Sequence, residues 1–203
     1  MQTTTACLKP LEMVCDGWIH AFGTYYPRRN ATEHHNSDWS RAVILAKRKY
    51  EGVINDFGRM IAEHLEPLLR DDGSHVITHV PAEPDRDGYL FERLDRCATE
   101  ILAECIHANM LGCEHVTRET LLVQVRSKAR KQRQCESTAE RIANVRGIYT
   151  VVDTARVTGQ NIILVDDVMT SGATMNECAR VLRHAGALDV LGVALARTVR
   201  LRP

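Results

Sequence analysis

The chain has 203 residues, with 26 Lys and Arg against 26 Asp and Glu and with 44% hydrophobic residues. This length predicts one α/β-sized domain with at most a small appendage. The formal net charge of zero disfavours a general binder of nucleic acid or anionic membranes, and no apolar stretch approaches the roughly 18 residues of a membrane span. The first residues lack the charged-then-apolar order of a secretion signal, so we expect a cytoplasmic protein without membrane attachment.

The seven cysteines are expected to be reduced. They form no C-x-x-C pair, and most lie in helical patterns, where a thiol acts as a small apolar side chain. Cys7 and Cys15 precede three histidines, but this spacing matches no tetrahedral zinc motif. The sequence therefore predicts neither a disulfide framework nor a cysteine zinc site.

The N-terminal part has the least regular pattern. We expect residues 1–38 to form a small N-terminal hood or extension in front of a domain over residues 39–203. From Trp39 the pattern is helical, and apolar residues at three- and four-residue steps predict a helix that ends near residues 71–73. Those apolar residues are Ile54, Phe57, Ile61, Leu65 and Leu68.

Strands and helices are predicted to alternate through the rest of the chain. One helical stripe runs from Leu90 to Cys105, and another from Met175 to Ala185. Alternation with short connections predicts an α/β fold, with a mostly parallel twisted sheet flanked by helices. The predicted strands are 75–80, 121–125, 148–152, 161–165 and 190–195.

The run 162–174 carries the most informative chemistry. A buried strand leads directly into Asp166 and Asp167, and ligands of open parallel sheets bind beyond the carboxyl ends of strands. The small residues from Thr170 to Thr174 then open a helix, so backbone N–H groups and the helix dipole form a phosphate cradle.

Paired carboxylates beside a phosphate cradle need a partner other than the phosphate. Sugar hydroxyls and a divalent cation both meet that need. The spacing therefore predicts a ribose 5-phosphate site, with the acids on the 2- and 3-hydroxyls and the loop on the phosphate. The alternative is a strand end followed by an ordinary helix cap. The absence of G-x-x-x-x-G-K-[ST] and G-x-G-x-x-G disfavours a P-loop nucleotide hydrolase and a Rossmann dehydrogenase.

Residues 164–174 resemble the phosphoribosyl pyrophosphate (PRPP) signature of type I phosphoribosyltransferases. Residues 140–149, 192–198 and, more weakly, 49–52 resemble the ComF-like branch of that family, but the four-cysteine zinc module of many ComF proteins is missing. The resemblance implies transfer of a phosphoribosyl group to an unidentified base or amine, with release of pyrophosphate and with Mg²⁺ as the cofactor. No other metal is predicted.

The resemblance also implies site residues. Asp166 and Asp167 would be the catalytic, ribose-binding acids and would meet Mg²⁺ largely through the substrate. The residues implied to bind PRPP and its phosphate are Val168, Met169, Thr170, Ser171, Gly172, Ala173 and Thr174.

Two further segments match the positions of family loops. The implied pyrophosphate-loop residues are Ala82, Glu83 and Arg86, in an acidic stretch that either recruits Mg²⁺ or weakens pyrophosphate binding. The implied mobile-loop residues are Arg126, Lys128, Arg130 and Lys131. A solvated charged loop is the alternative for both segments. Contact of the basic run with single-stranded nucleic acid is a further alternative, which the lack of interleaved aromatic residues disfavours.

Three functions stay open at this point. The first is an enzyme that uses PRPP. The second is a non-catalytic regulator that binds PRPP or a nucleoside monophosphate, and the third is an accessory factor in DNA uptake, to which ComF-like proteins are linked. A homodimer is an expectation, because dimers are common among relatives.

Overall fold

The computed structural model describes residues 14–16, 18–27, 31–69, 73–82, 97–110, 112–130, 134–135 and 137–199. Its strands are β1 (Val14–Asp16), β2 (Ile19–Ala21), β3 (Thr24–Tyr25), β4 (His75–His79), β5 (Val116–Arg118), β6 (Leu122–Gln124), β7 (Tyr149–Val151), β8 (Asn161–Met169) and β9 (Asp189–Thr198). Its α-helices are α1 (Ala31–Asn36), α2 (Asp38–Lys47), α3 (Glu51–Leu65), α4 (Ala98–Ala108), α5 (Thr138–Val145) and α6 (Ala173–His184). Short 3-10 turns cover Glu66–Leu68 and Thr154–Arg156.

The main sheet has seven strands, in the order β1-β2-β9-β8-β4-β5, with β3 also paired to β9. All pairs are parallel except β1 with β2. Strand β8 lies in the centre, where Asn161 is opposite His75 of β4 and Asp189 of β9. The predicted α/β fold with a mostly parallel sheet is confirmed.

Helices cover both faces of this sheet. On one face, Ile163 and Val165 of β8 pack in a core with α2, α3 and α4, and on the other Ile162 and Leu164 pack with α6. Each of these four strand residues is at most 1% exposed. An unbroken apolar run is typical of a parallel strand buried on both faces, and this burial fixes β8 as the rigid support of whatever follows it.

The predicted strands at 121–125 and 148–152 do not join the parallel sheet. They form β6 and β7, an antiparallel pair of their own. Leu122 and Gln124 are buried while Val123 between them is exposed. This alternation is typical of a strand with one face exposed to solvent. The edge position beside β4 is taken by β5 instead, whose sequence Val-Thr-Arg has no apolar pattern to reveal it.

The single helix predicted after Trp39 is two helices. The break follows α2 at Lys49, which has a left-handed backbone with φ 62°, and α3 ends at Leu65 with Pro67 in the following 3-10 turn. Proline lacks the N–H that a continuing helix needs. Trp39 is a packing residue, 1% exposed, whose indole N–H donates to the Leu195 carbonyl at 3.0 Å.

The segment predicted to be irregular contributes short strands, since β2 and β3 both pair with β9. Strands of two or three residues are too short to show a period. Helix α4 begins at Ala98, and the predicted helical positions Leu90 and Leu94 lie outside the described residues. No helix in the described ranges has the length and apolar character needed to cross a membrane.

Candidate ligand-binding site

An open cleft lies at the carboxyl end of β8. The strand continues to Met169, so Asp166 and Asp167 lie within it and not after it as predicted. The extension exists because β9 runs alongside, with Asp166 opposite Ala194 and Met169 opposite Arg197. The cleft is lined by Arg141, Asp166, Val168, Met169, Thr170, Ser171, Gly172, Ala173, Thr174 and Met175.

All seven residues predicted to bind the phosphate therefore line one cleft. Gly172 occupies the N-cap position of α6 with a left-handed backbone, φ 71°, which glycine adopts without the strain that a side chain adds. The Gly172 carbonyl accepts from the backbone N–H of Asn176 at 2.8 Å and from its side-chain amide at 3.0 Å. The first N–H groups of a helix have no intrahelical partner, so those of α6 are available to an anion in the cleft.

The side chains of Asp166 and Asp167 contact different parts of the molecule. Asp166 lines the cleft, and its Oδ1 accepts from the backbone N–H of Asp167 at 2.8 Å. Asp167 is not among the lining residues, and its Oδ2 lies 3.0 Å from Nζ of Lys47 on α2. Because α2 covers the face of the sheet opposite α6, the carboxylates have different surroundings, and only Asp166 is directed at the cleft.

The pKa of Asp166 lies close to neutral pH. Burial, and then the negative charge of Asp167, raise the pKa of Asp166 to about 7. The hydrogen bond from the Asp167 N–H and the positive charges of Lys47 and Lys128 act in the opposite direction. Near neutral pH this carboxyl is thus divided between a proton donor and a negatively charged acceptor.

The predicted mobile-loop cations have different partners, and none of the described ones lines the cleft. Nη2 of Arg126 donates to the Gly147 carbonyl at 2.6 Å. The main chain of Arg130 is held by the Asn144 side chain, at 3.0 Å for its N–H and 2.8 Å for its carbonyl. Lys128 lies near enough to Asp166 to affect its pKa. Lys131 lies outside the described residues.

The predicted pyrophosphate loop is described only at its start. The Val80 N–H donates to the Val165 carbonyl at 2.9 Å, next to Asp166. Ala82 is exposed and does not line the cleft. Glu83 and Arg86 lie outside the described residues.

Sequence reasoning missed two cations at the site, Arg141 and Lys47. Arg141 lines the cleft, and its Nη2 donates to the Cys135 carbonyl at 3.1 Å. The sequence did contain a sign that Arg141 could belong to the site, because Arg141 lies in segment 140–149, which resembles the ComF-like branch. The glycine of that segment, Gly147, has φ 68° and donates its N–H to Oε1 of Glu177 on α6 at 2.7 Å, so the motif anchors α5 to α6. No pattern in the sequence around Lys47 predicts that it belongs to the site.

Residues 101–199 match the family described as the phosphoribosyl transferase domain. The matched stretch includes β8, the cleft loop and β9. No curated protein sequence matches the chain.

Three solved structures are similar to the chain at low identity. A glutamine PRPP amidotransferase from B. subtilis, complexed with ADP and GMP, is 23% identical over 70% of this chain and 26% of its own, with a TM-score of 0.41. A hypoxanthine phosphoribosyltransferase from Staphylococcus aureus is 9% identical over 70% of this chain and 61% of its own, with a TM-score of 0.44. A Neisseria gonorrhoeae protein with bound ppGpp is 13% identical over 75% of this chain and 71% of its own, with a TM-score of 0.44. The chain thus spans about a quarter of the amidotransferase and about three fifths of the staphylococcal enzyme.

Proposed function

We propose that the cleft binds PRPP, or a nucleotide built on ribose 5-phosphate, and that the protein transfers the phosphoribosyl group to a base or amine. One observation carries the proposal: Asp166 and the whole loop Val168–Thr174 line a single cleft at the N-terminus of α6. A carboxylate for hydroxyls and N–H donors for a phosphate are what a phosphorylated sugar requires.

In the proposed reaction a nitrogen of the acceptor forms a bond to carbon 1 of the ribose. The bond from that carbon to pyrophosphate breaks, and pyrophosphate leaves. This chain's residues bind and orient the sugar. Arg141, whose Nη2 donates to the Cys135 carbonyl, brings a positive charge to the lining of the cleft for a phosphate group. No covalent nucleophile is needed. Burial, together with the charges of Asp166 and Glu177, raises the pKa of Cys178, which keeps that neighbouring thiol protonated.

The donor set fits Mg²⁺, which the family resemblance implies as cofactor. Mg²⁺ is commonly held by one or two carboxylates together with substrate phosphates, and Asp166 supplies one such carboxylate in the cleft. Mg²⁺ would offset negative charge on the leaving pyrophosphate. Asp167 would serve as a second ligand, or as a second ribose contact, only after it exchanged Lys47 for the new partner.

The proposal extends to the family branch, the location and the assembly of the protein. Membership in the ComF-like branch is supported by segment 140–149, whose glycine anchors α6 through Glu177. A cytoplasmic location is supported by the free thiols of Cys97, Cys105, Cys113, Cys135 and Cys178, which suit a reducing compartment. A homodimer, and an unidentified base or amine as the acceptor, stay predictions from the family resemblance.

The direct test is release of pyrophosphate from PRPP in the presence of Mg²⁺ and a panel of bases and amines. The Asp166→Asn variant should lose turnover, since an amide presents a neutral group to the sugar. Asp56→Asn, a surface acid paired with Arg59 at 3.3 Å, should keep it. Stabilisation by PRPP without pyrophosphate release for any acceptor would favour the non-catalytic regulator, and no stabilisation would contradict the proposed site.

A further inference from the structure

A second cluster of metal-ligating side chains lies at the carboxyl end of β4. The ligand atoms of His79, Cys97 and Glu100 are all within 4.8 Å of one another. His79 is the last residue of β4, Cys97 immediately precedes α4, and Glu100 lies in its first turn. None of the three lines the cleft at β8.

The buried histidine is the independent sign of a ligand. His79 is only 6% exposed, and its Nδ1 is buried without a hydrogen-bond partner among the residues that the structure describes. A buried polar atom left without a partner is unfavourable. An ion bound at the imidazole would satisfy this ring.

Rigid elements hold the three side chains together. Leu102 and Ile106 of α4 share a core with Ile77 of β4, and Thr99 Oγ1 donates to the Val80 carbonyl at 3.2 Å. The start of α4 is therefore fixed against the end of β4.

Two glutamates lie one turn apart on α4 and have different neighbours. Glu104, one turn beyond Glu100, forms an ion pair with Arg118 at 2.9 Å. The Cys97 side chain makes no cap to the helix although it stands at the N-cap position. Glu100 and Cys97 are thus the side chains of this turn that are placed beside His79.

We propose that His79, Cys97 and Glu100 bind a divalent transition-metal ion of the zinc class. Imidazole nitrogen, thiolate sulfur and carboxylate oxygen are the three ligand types of Zn²⁺, and bonds of ~2.0–2.3 Å place tetrahedral ligands roughly 3.3–3.8 Å apart. The ligand atoms, now within 4.8 Å of one another, would have to approach to that range when the ion binds. The Cys97 thiol releases its proton to solvent on binding, and the sulfur and nitrogen donors select against Mg²⁺.

Three protein ligands leave one tetrahedral position for water or for an oxygen of a bound molecule. The ion would tie His79 to Cys97, and these two residues lie on either side of the predicted pyrophosphate loop in the sequence. The proposal does not depend on phosphoribosyl transfer, and its test uses no PRPP.

The test uses Co²⁺ as a spectroscopic probe of full-length protein that has been stripped with a chelator. The site predicts one equivalent of bound Co²⁺ with an ultraviolet thiolate-to-cobalt charge-transfer band, which Zn²⁺ abolishes by competition. Cys97→Ser should remove the band. Because serine is a favoured N-cap residue, this variant should keep its fold, as circular dichroism will show. Glu100→Gln should weaken binding by at least the roughly 10–100-fold that supporting ligand contacts are worth.

Matched controls lie one turn or one loop away. Glu104→Gln alters the acid that pairs with Arg118, and Cys113→Ser removes another free thiol; both should bind Co²⁺ as the original chain does. Absence of the band, or a band that survives Cys97→Ser, would overturn the proposal. So would a band that is lost only when Cys7 and Cys15 are replaced.

Discussion

Nζ of Lys47 lies 3.0 Å from Oδ2 of Asp167 and joins the last residue of α2 to the central strand β8. Burial alone would lower the pKa of Lys47, but the charge and hydrogen bond of Asp167, with a contribution from Asp166, raise it above its usual value. The two acids therefore differ. Asp167 forms an ion pair with Lys47, whereas Asp166 faces the cleft.

The first prediction concerns this ion pair. Lys47→Met removes a positive charge that lowers the pKa of Asp166, so the midpoint of Asp166 in a carboxyl NMR titration should move to higher pH. The variant should also lose roughly 1 kcal/mol of stability or less, because the pair is partly exposed. Arg48→Met, at an exposed neighbouring position, should leave the midpoint unchanged. An unmoved midpoint in Lys47→Met would show that the pair does not tune Asp166.

The second prediction is a pH dependence of stability. The pKa of Asp166 is raised from 3.8 to about 7, so the folded state binds the proton more tightly than the unfolded state does. The free energy of unfolding should therefore fall as pH rises through this interval. Asp166→Asn should remove that slope and stabilise the free protein at pH 8 by on the order of 1–2 kcal/mol.

Denaturant unfolding of both proteins near pH 4 and pH 8 measures this difference. The exposed Asp153 offers a control, since Asp153→Asn keeps the acceptor for the Ala155 N–H, which lies 2.9 Å away. Equal destabilisation by Asp166→Asn at both pH values would contradict the assignment.

The third prediction separates backbone strain from ligand binding. Gly172→Ala places a Cβ at φ 71°, 3.1 Å from the Asn176 side-chain nitrogen, and should cost roughly 1–2 kcal/mol. It should also abolish binding of ribose 5-phosphate, because the loop at the start of α6 must shift. Gly159→Ala has φ 75° with nothing within 4 Å, so it should carry similar strain and bind normally. Equal binding by the two variants would remove the loop from the site.

The fourth prediction tests the anchor between α5 and α6. Glu177, 8% exposed, accepts from the Gly147 N–H and from two guanidinium nitrogens of Arg180. The hydrogen bond from Arg180 has the largest effect and lowers the pKa of Glu177. Burial acts in the opposite direction, but the hydrogen bond from Gly147 also lowers the pKa, so the net shift is downward. Glu177→Gln should cost about 1–3 kcal/mol at neutral pH.

That stability is present above the ordinary pKa of a glutamate and is lost as the pH falls through the lowered pKa of the folded state. The difference between Glu177→Gln and the original chain should therefore shrink in acid, as thermal unfolding at pH 7 and pH 3 would show. Glu114→Gln, at an exposed position, should be neutral at both. A difference that does not depend on pH would mean that the charge on Glu177 is not what holds Gly147.

Local signals made the fold class and the cleft loop predictable. The apolar run of β8 showed burial on both faces, and the small residues around Gly172 showed the phosphate-type turn, because both patterns lie within a few consecutive residues. Contacts between distant segments left no such signal. Lys47 meets Asp167 only after α2 docks on the sheet, and the three-residue strand β5 is defined by its pairing with β4. The strands β6 and β7 carried a one-sided alternation that is visible in the sequence but was taken for parallel pairing.

Calorimetric titration of ribose 5-phosphate at pH 6 and pH 8 tests the central claim most directly. The account predicts saturable binding that is tighter at pH 8, where Asp166 is ionised and accepts hydrogen bonds from the sugar hydroxyls. It predicts a smaller pH dependence in Asp166→Asn, where the ligand's phosphate, with a second pKa of ~6, still titrates. Binding that is equally tight at both pH values and unaffected by Asp166→Asn would place the sugar phosphate elsewhere and contradict the account.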